Sequence, residues 1–483
     1  MLQFASRVFV TLILLLPNLL QGQRDLKKVV ADFVEHESLA NASIGIDIID
    51  LNTGKRLAAF DPNRSLIPAS TQKLLTTGAA LDLMGAESTF VTKLAIDGRL
   101  ENGVLHGNLF IIGGGDPSLA SDKLREATKA DQLMATWVDA ISKSGIRDIQ
   151  GYVVADANYY PTHGIPSGWP WADIGNYYGA GAYGLNWHEN YYYLDFLQRQ
   201  RLGTTPPVQR IRPAIPGLKL HNEIRTAGRG SGDNAYIYGA PFNFDNYIRG
   251  TIPAGTGRFT IKGSIPDPPL LVAQLLQEQL EAIGIKTLHP ATSSRELGVA
   301  YSGEGIILHE HHSPPLSSIV SRTNLQSINL YAETLVREIN KRLGKAPHEL
   351  TSTKIFLDYF EQQLQLDISG VNMNDGSGLG TRNYFPPSFM TAFLKTKDGN
   401  NVFLNSIPKA GSTGGLRNRF RGTAAEGKLY AKSGYVSGAR CYAGYAFPKN
   451  GRRLAFAIMV NNYTIKTREL NQLLFRFMQQ LCE

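Results

Sequence analysis

The chain has 483 residues, of which 43% are hydrophobic and 19% charged; this excludes a disordered polypeptide and is too long for one ordinary core. A formal net charge of +8 is mildly basic, but Lys and Arg are dispersed, which argues against a nucleic-acid partner and allows at most peripheral contact with a membrane. Two cysteines, Cys441 and Cys482, make neither a disulfide framework nor a CxxC motif, and whether they bond to each other is left open.

Residues 1–22 begin with MLQFASR, continue as the apolar run VFVTLILLLPNLL and end at small Gly22. That order reads as a secretory signal, so a secreted or periplasmic protein is expected. The run is short for a span and is interrupted by Pro17. SIGIDIIDLNTGKRLAAF then alternates around a turn at Asn52–Gly54, a predicted hairpin. A helix is predicted just after Pro68, with Leu74, Leu75, Ala79, Leu81 and Leu83 as its apolar positions. From about Phe90 to Ala300 short strands mix with Gly-, Pro- and Tyr-rich loops. Helices return in SSIVSRTNLQSINLYAETLVREINKRLG and stop at Gly344. Three alternating runs, GKLYAKSGYV, ARCYAGYAF and RRLAFAIMVNN, precede a final amphipathic helix. The early hairpin is expected to join the terminal antiparallel sheet, giving an α+β domain from both chain ends. Residues 23–92 and 298–483 are assigned to it, and 93–297 to an inserted, mostly β region of one or two accessory domains.

Three short motifs carry the chemistry. Ser70-Thr71-Gln72-Lys73 puts a hydroxyl and an amine three residues apart on a helix, where they can meet. A serine at a helix start is ordinarily a cap and a lysine there ordinarily solvated. As a nucleophile, Ser70 would need a base, and Lys73 can be one only if burial or a nearby cation lowers its pKa. Ser327-Ile328-Asn329 offers a hydroxyl that can relay a proton and an amide that can donate and accept; alone it reads more readily as an ordinary turn or cap. Lys432-Ser433-Gly434 lies in a predicted strand, where glycine permits close backbone approach and the lysine and hydroxyl can clamp a carboxylate. Two decoys show how weak each string is alone. Ser406-Ile407-Pro408-Lys409 is broken by its proline, and Lys143-Ser144-Gly145 reads as a helix stop.

Taken in order, S-x-x-K, S-x-N and K-S-G resemble the trio of penicillin-binding proteins and serine β-lactamases. With IIGGGDPSL, GWPWAD, YYGA, SPPLSSIV, NLYAE and NDGSGL, the chain resembles class C low-molecular-mass penicillin-binding proteins, a D-alanyl-D-alanine carboxypeptidase/endopeptidase family. The resemblance implies a transpeptidase-like domain: an antiparallel sheet with helices on both faces, plus an all-helical part. It implies hydrolysis of peptidoglycan peptides through a Ser70 acyl-enzyme, with Lys73 as base and β-lactams as covalent inhibitors. Ser327 would pass a proton to the leaving amine, Asn329 would hold the substrate amide, and Lys432 and Ser433 would bind its terminal carboxylate. Gly434 belongs to the same strand, and the N–H groups of Ser70 and Tyr435 would form the oxyanion site. Asp173 and Tyr178 match positions that recognise a diamino-acid side chain, with a capped loop and a packing aromatic as the plain alternative. Ser433 replaces the usual threonine, Ile328 a commonly polar residue, and Arg382 falls later than the family's arginine, so that contact is not carried over.

No cofactor is implied. His309 and His311 in HEHH could bind zinc only with a third ligand, and no catalytic metal is expected. The competing readings are a serine β-lactamase or esterase using Ser70, and a non-catalytic wall-binding or β-lactam-sensing protein. A scaffold would have no chemical need for Lys73.

Overall fold

The computed structural model describes residues 25–483; the segment read as a signal lies outside them. Among the described residues, no helix is long and apolar enough to cross a membrane.

The hairpin β1 (Ser43–Asp50) and β2 (Arg56–Phe60) joins β3 (Leu429–Val436), β4 (Ala439–Ala446) and β5 (Leu454–Asn461) in one antiparallel sheet. Its order is β3-β4-β5-β1-β2, so the two ends of the chain build one domain. Flanking the sheet are α1 (Leu26–Val34), α2 (Lys73–Met84), α3 (Leu316–Gln326), α4 (Asn329–Arg342), α5 (Pro387–Thr396) and α6 (Thr467–Gln480). Strand β5 reads as a continuous apolar run because both its faces are covered. Leu454, Phe456, Ile458 and Val460 pack toward α1 and α6. Ala455, Ala457 and Met459 pack toward α2, α3, α4 and α5. Cys441 and Cys482 are free and buried. They belong to cores on opposite faces of this sheet, so the bridge left open by the sequence is not made.

Between α2 and α3 the chain forms two further cores. The first surrounds a sheet of Val91–Ile96, Leu109–Ile112, Val153–Asp156, Thr292–Ser293 and Ile306–His312, with helices Ala130–Lys143 and Pro268–Ala282 against it. The second gathers Tyr192, Leu194, Phe196, Ile237, Ile248 and Ile261 from shorter strands. The entering strand Val91–Ile96 pairs antiparallel with the leaving strand Ile306–His312. The inserted sheet therefore extends past residue 297, where the sequence reading closed it. The HEHH segment lies on that leaving strand, where Glu310 pairs with Lys93 at 2.6 Å. Among the described residues, no group of three or more His, Cys, Asp or Glu is placed to hold a metal.

Both decoys behave as local chemistry dictates. Ser144 caps the helix Ala130–Lys143, and Gly145 takes φ 86° beyond it. The helix Asn401–Ser406 ends before Pro408, with Ile407 extended.

Candidate active site

Ser70 does not stand on the α-helix itself. Ala69–Gln72 form a 3-10 turn, and α2 begins at Lys73. Side chains at i and i+3 eclipse in that tighter turn, which brings them closer than in an α-helix. Lys73 Nζ lies 3.0 Å from Ser70 Oγ. The turn enters through Ala69 at φ 47°, a left-handed conformation that costs about 1–3 kcal/mol for a residue with a side chain.

Lys73 is fully buried and donates to Asn329 Oδ1 at 2.5 Å and to the Ser377 carbonyl at 2.7 Å. Neither oxygen can donate in return. A neutral amine has two N–H bonds, which these acceptors consume, and its lone pair is then left for the Ser70 hydroxyl. Burial lowers the Lys73 pKa from 10.5 to about 7, against upward pulls from Glu333 and Asp375. The neutral form is thus substantially present near neutrality. Lys432 does not lead this effect. Burial, then Lys73 and Arg440, instead hold Lys432 itself well below its ordinary range.

Ser327 links α3 to α4 in the left-handed region, with φ 58° and ψ 42°. This turn aims its hydroxyl at Lys432, whose Nζ donates to Ser327 Oγ at 2.9 Å and to the Ser433 carbonyl at 2.7 Å. Asn329 opens α4. Its carboxamide is occupied within the protein: Oδ1 accepts from Lys73, and Nδ2 donates to the Tyr178 carbonyl at 2.8 Å. The sequence reading gave this amide to the substrate; here it positions Lys73 and ties it to the insertion.

Strand β3 brings Lys432, Ser433, Gly434 and Tyr435 past the Ser70 turn. A Cβ on Gly434 would stand 2.5 Å from the Pro68 carbonyl oxygen and 3.1 Å from the Ser70 nitrogen, so only glycine fits without displacing the turn. Lys432 is buried, Ser433 half-buried and Tyr435 exposed.

Two acids escaped the sequence reading, although NLYAE and NDGSGL contain them. Glu333, one helical turn beyond Asn329, accepts from the backbone of Gly376 and Ser377 at 3.0 and 2.9 Å. Asp375 accepts from the backbone of Ser377, Gly378 and Gly380 and from Trp169 Nε1. Together they fix the loop whose Ser377 carbonyl receives the Lys73 N–H. Burial, then Asp375, raises the Glu333 pKa. The available signal was an acid four residues after Asn329, hence on the same helix face.

A cleft of about 720 Å³ opens over Ser70, lined by Ser327, Asn329 and Tyr435 on one side and by the insertion on the other. Asp173 and Tyr178 both line it, and the Tyr178 hydroxyl donates to Asp173 Oδ1 at 3.0 Å. Arg382 is exposed and does not line it.

Fold and site together define a serine acyl-transfer enzyme of the penicillin-binding class. The model of the D-Ala-D-Ala carboxypeptidase 3 (S13) family matches residues 26–480. The chain belongs to this family, and it is a serine-type D-Ala-D-Ala carboxypeptidase. It is 27% identical to the D-alanyl-D-alanine carboxypeptidase of Actinomadura sp. strain R39, with 91% of this chain and 81% of that protein covered. It is 23% identical to carboxypeptidase DacB of Haemophilus influenzae, covering 88% and 86%. The crystal structure of penicillin binding protein 4 from H. influenzae superposes with a TM-score of 0.79 at 22% identity, covering 94% of this chain and 98% of that one. That likeness fixes the fold.

Proposed function

We propose that the chain removes the terminal D-alanine from peptidoglycan stem peptides in the cell envelope, outside the cytoplasm, and also opens peptide cross-links. Ser70 Oγ bonds to the carbonyl carbon of the penultimate D-alanine while its proton passes to Lys73 Nζ. The oxyanion sits between the backbone N–H groups of Ser70 and Tyr435. The C–N bond then breaks as Ser327 hands its proton to the leaving amine, and the proton that Lys73 took from Ser70 replaces it, leaving Lys73 neutral. Ser433 and Lys432 bind the terminal carboxylate, whose negative charge favours the protonated form of Lys432. Water then attacks the ester carbonyl, its proton passes to the neutral Lys73, and Lys73 returns that proton to the Ser70 oxygen as the acyl group leaves.

The observation that carries this reading is the pair of acceptors on Lys73, which leaves a neutral amine facing Ser70. For cross-link cleavage the support is the Asp173–Tyr178 pair in the cleft wall, where a carboxylate can meet the amine of a diamino-acid side chain. β-Lactams imitate the D-alanyl end and should acylate Ser70; an H. influenzae relative of the same fold was crystallised with a β-lactam.

Mass spectrometry after incubation with penicillin tests the nucleophile. One adduct on the Ser70 peptide is expected, and unchanged labelling of Ser70→Ala would sink the assignment. Incubation with purified cross-linked muropeptides tests endopeptidase action, for which a monomeric product must accumulate.

A further inference from the structure

The cleft that holds Ser70 also contains two cations that the chemistry above does not use. Lys123 follows the DPSL segment, and Lys262 lies on the strand Arg258–Ser264; both line the cleft wall formed by the insertion. Their ammonium groups sit over tyrosine faces. Lys123 Nζ is 5.5 Å from the Tyr191 ring centroid, and Lys262 Nζ is 5.6, 5.0 and 5.2 Å from those of Tyr177, Tyr191 and Tyr193.

The two lysines are close enough to repel. Burial and then Lys123 lower the Lys262 pKa, and only a smaller upward pull from Glu189 opposes them. Nearby acids are partly engaged by other groups. Glu189 Oε1 accepts from the Ser121 and Tyr331 hydroxyls, and Asp122 faces His188 at 3.6 Å. Among the described residues neither lysine forms an ion pair with a carboxylate. Glu189 interacts with both at longer range, and two adjacent, half-buried cations with no carboxylate at ion-pair distance repel each other in a way that an anion bound between them would relieve.

The backbone at this wall is strained as well. His188, Glu189 and Asn190 take φ values of 49°, 53° and 54° in succession. The left-handed region is unfavourable for residues with a side chain, and such strain gathers at binding sites. Asn190 holds the turn through Trp187, Gly181 and Asn186, and Glu189 Oε2 is buried without a partner.

We propose that Lys123 and Lys262, backed by the tyrosine wall, bind a carboxylate of the peptidoglycan peptide remote from the scissile bond. This deepens the proposed function and rests on it, because the cleft is shared with Ser70. Two carboxylates have the right chemistry: the free one on the stem's acidic residue, and the side-chain carboxylate of a diamino acid where the stem carries one.

The test compares stem peptides ending in D-Ala-D-Ala in their free-acid form with the same peptides amidated at one or the other carboxylate. For the unmodified protein, amidation at one of these positions is expected to lower kcat/KM about ten-fold, mainly through KM. Which amide does so identifies the carboxylate. In Lys123→Gln and Lys262→Gln the acid-to-amide ratio is expected to fall to near one, while Lys262→Arg retains it. Penicillin labelling of Ser70 in each variant reports that the nucleophile is in place. If the unmodified protein releases D-alanine equally from acid and both amides, the anion site is overturned although the carboxypeptidase reading stands. If it releases none from any peptide, the carboxypeptidase reading itself fails.

Discussion

The proton inventory around Lys73 sets the expected pH response of acylation. Only the neutral amine can accept the Ser70 proton, and its pKa lies at about 7. The rate of penicillin acylation should therefore rise with pH through about 7 and level off above it. Removing the amine by Lys73→Ala should slow acylation about 10²–10⁴-fold, the usual contribution of a general base. Glu333 acts on Lys73 in two ways, through its charge and through the loop 375–380. The charge holds the Lys73 pKa up, so Glu333→Gln should move the acid limb of the acylation profile to lower pH. It should also lower the plateau, because the glutamine carboxamide has one accepting oxygen, whereas Glu333 uses both of its oxygens to accept from the two backbone N–H groups. A profile that drops without shifting would leave Glu333 a purely structural role. Stopped-flow acylation across pH distinguishes the two outcomes.

At the scale of elements, the site is a junction of four segments that are distant in sequence. The 3-10 turn before α2 gives Ser70, the left-handed link between α3 and α4 gives Ser327, α4 gives Asn329 and Glu333, and β3 gives Lys432. Two of these segments depend on backbone conformations that cost energy, at Ala69 and Ser327, and the surrounding bonds hold them. The tightest contact is between β3 and the Ser70 turn. Gly434→Ala places a methyl group 2.5 Å from the Pro68 carbonyl and must push the strand away from the turn. A loss of about 1–3 kcal/mol is expected from such overpacking, measurable by denaturant titration, together with slower penicillin labelling.

Across the whole molecule, the insertion does more than widen the cleft. Trp169 donates to Asp375 and the Tyr178 carbonyl accepts from Asn329, so the inserted region supports both partners of Lys73. Lys123 and Lys262 extend the same wall outward from Ser70. The fold is held by packing on two faces of one sheet, without covalent cross-links among the described residues. Reducing agent should accordingly leave the melting temperature unchanged, and intact mass should show two free thiols under denaturation. A reductant-sensitive Tm would contradict the separation of Cys441 and Cys482 by the sheet.

Much of this was readable because it is local. Alternation marks the hairpin and the terminal strands, and motif spacing marks Ser70 and Lys73, Ser327 and Asn329, and Lys432. Proline and glycine at fixed offsets explained why SIPK and the first KSG were decoys. The sequence by itself thus determined the α+β plan and picked out the candidate residues that the fold brings together around Ser70. What it did not carry were facts of three-dimensional approach. Burial of Lys73, the acceptors that orient its lone pair, the turning of the Asn329 amide inward and the meeting of Lys123 with Lys262 all join residues far apart in the chain. Desolvation and hydrogen-bond direction depend on the whole surroundings of an atom, and only the tertiary structure decides those.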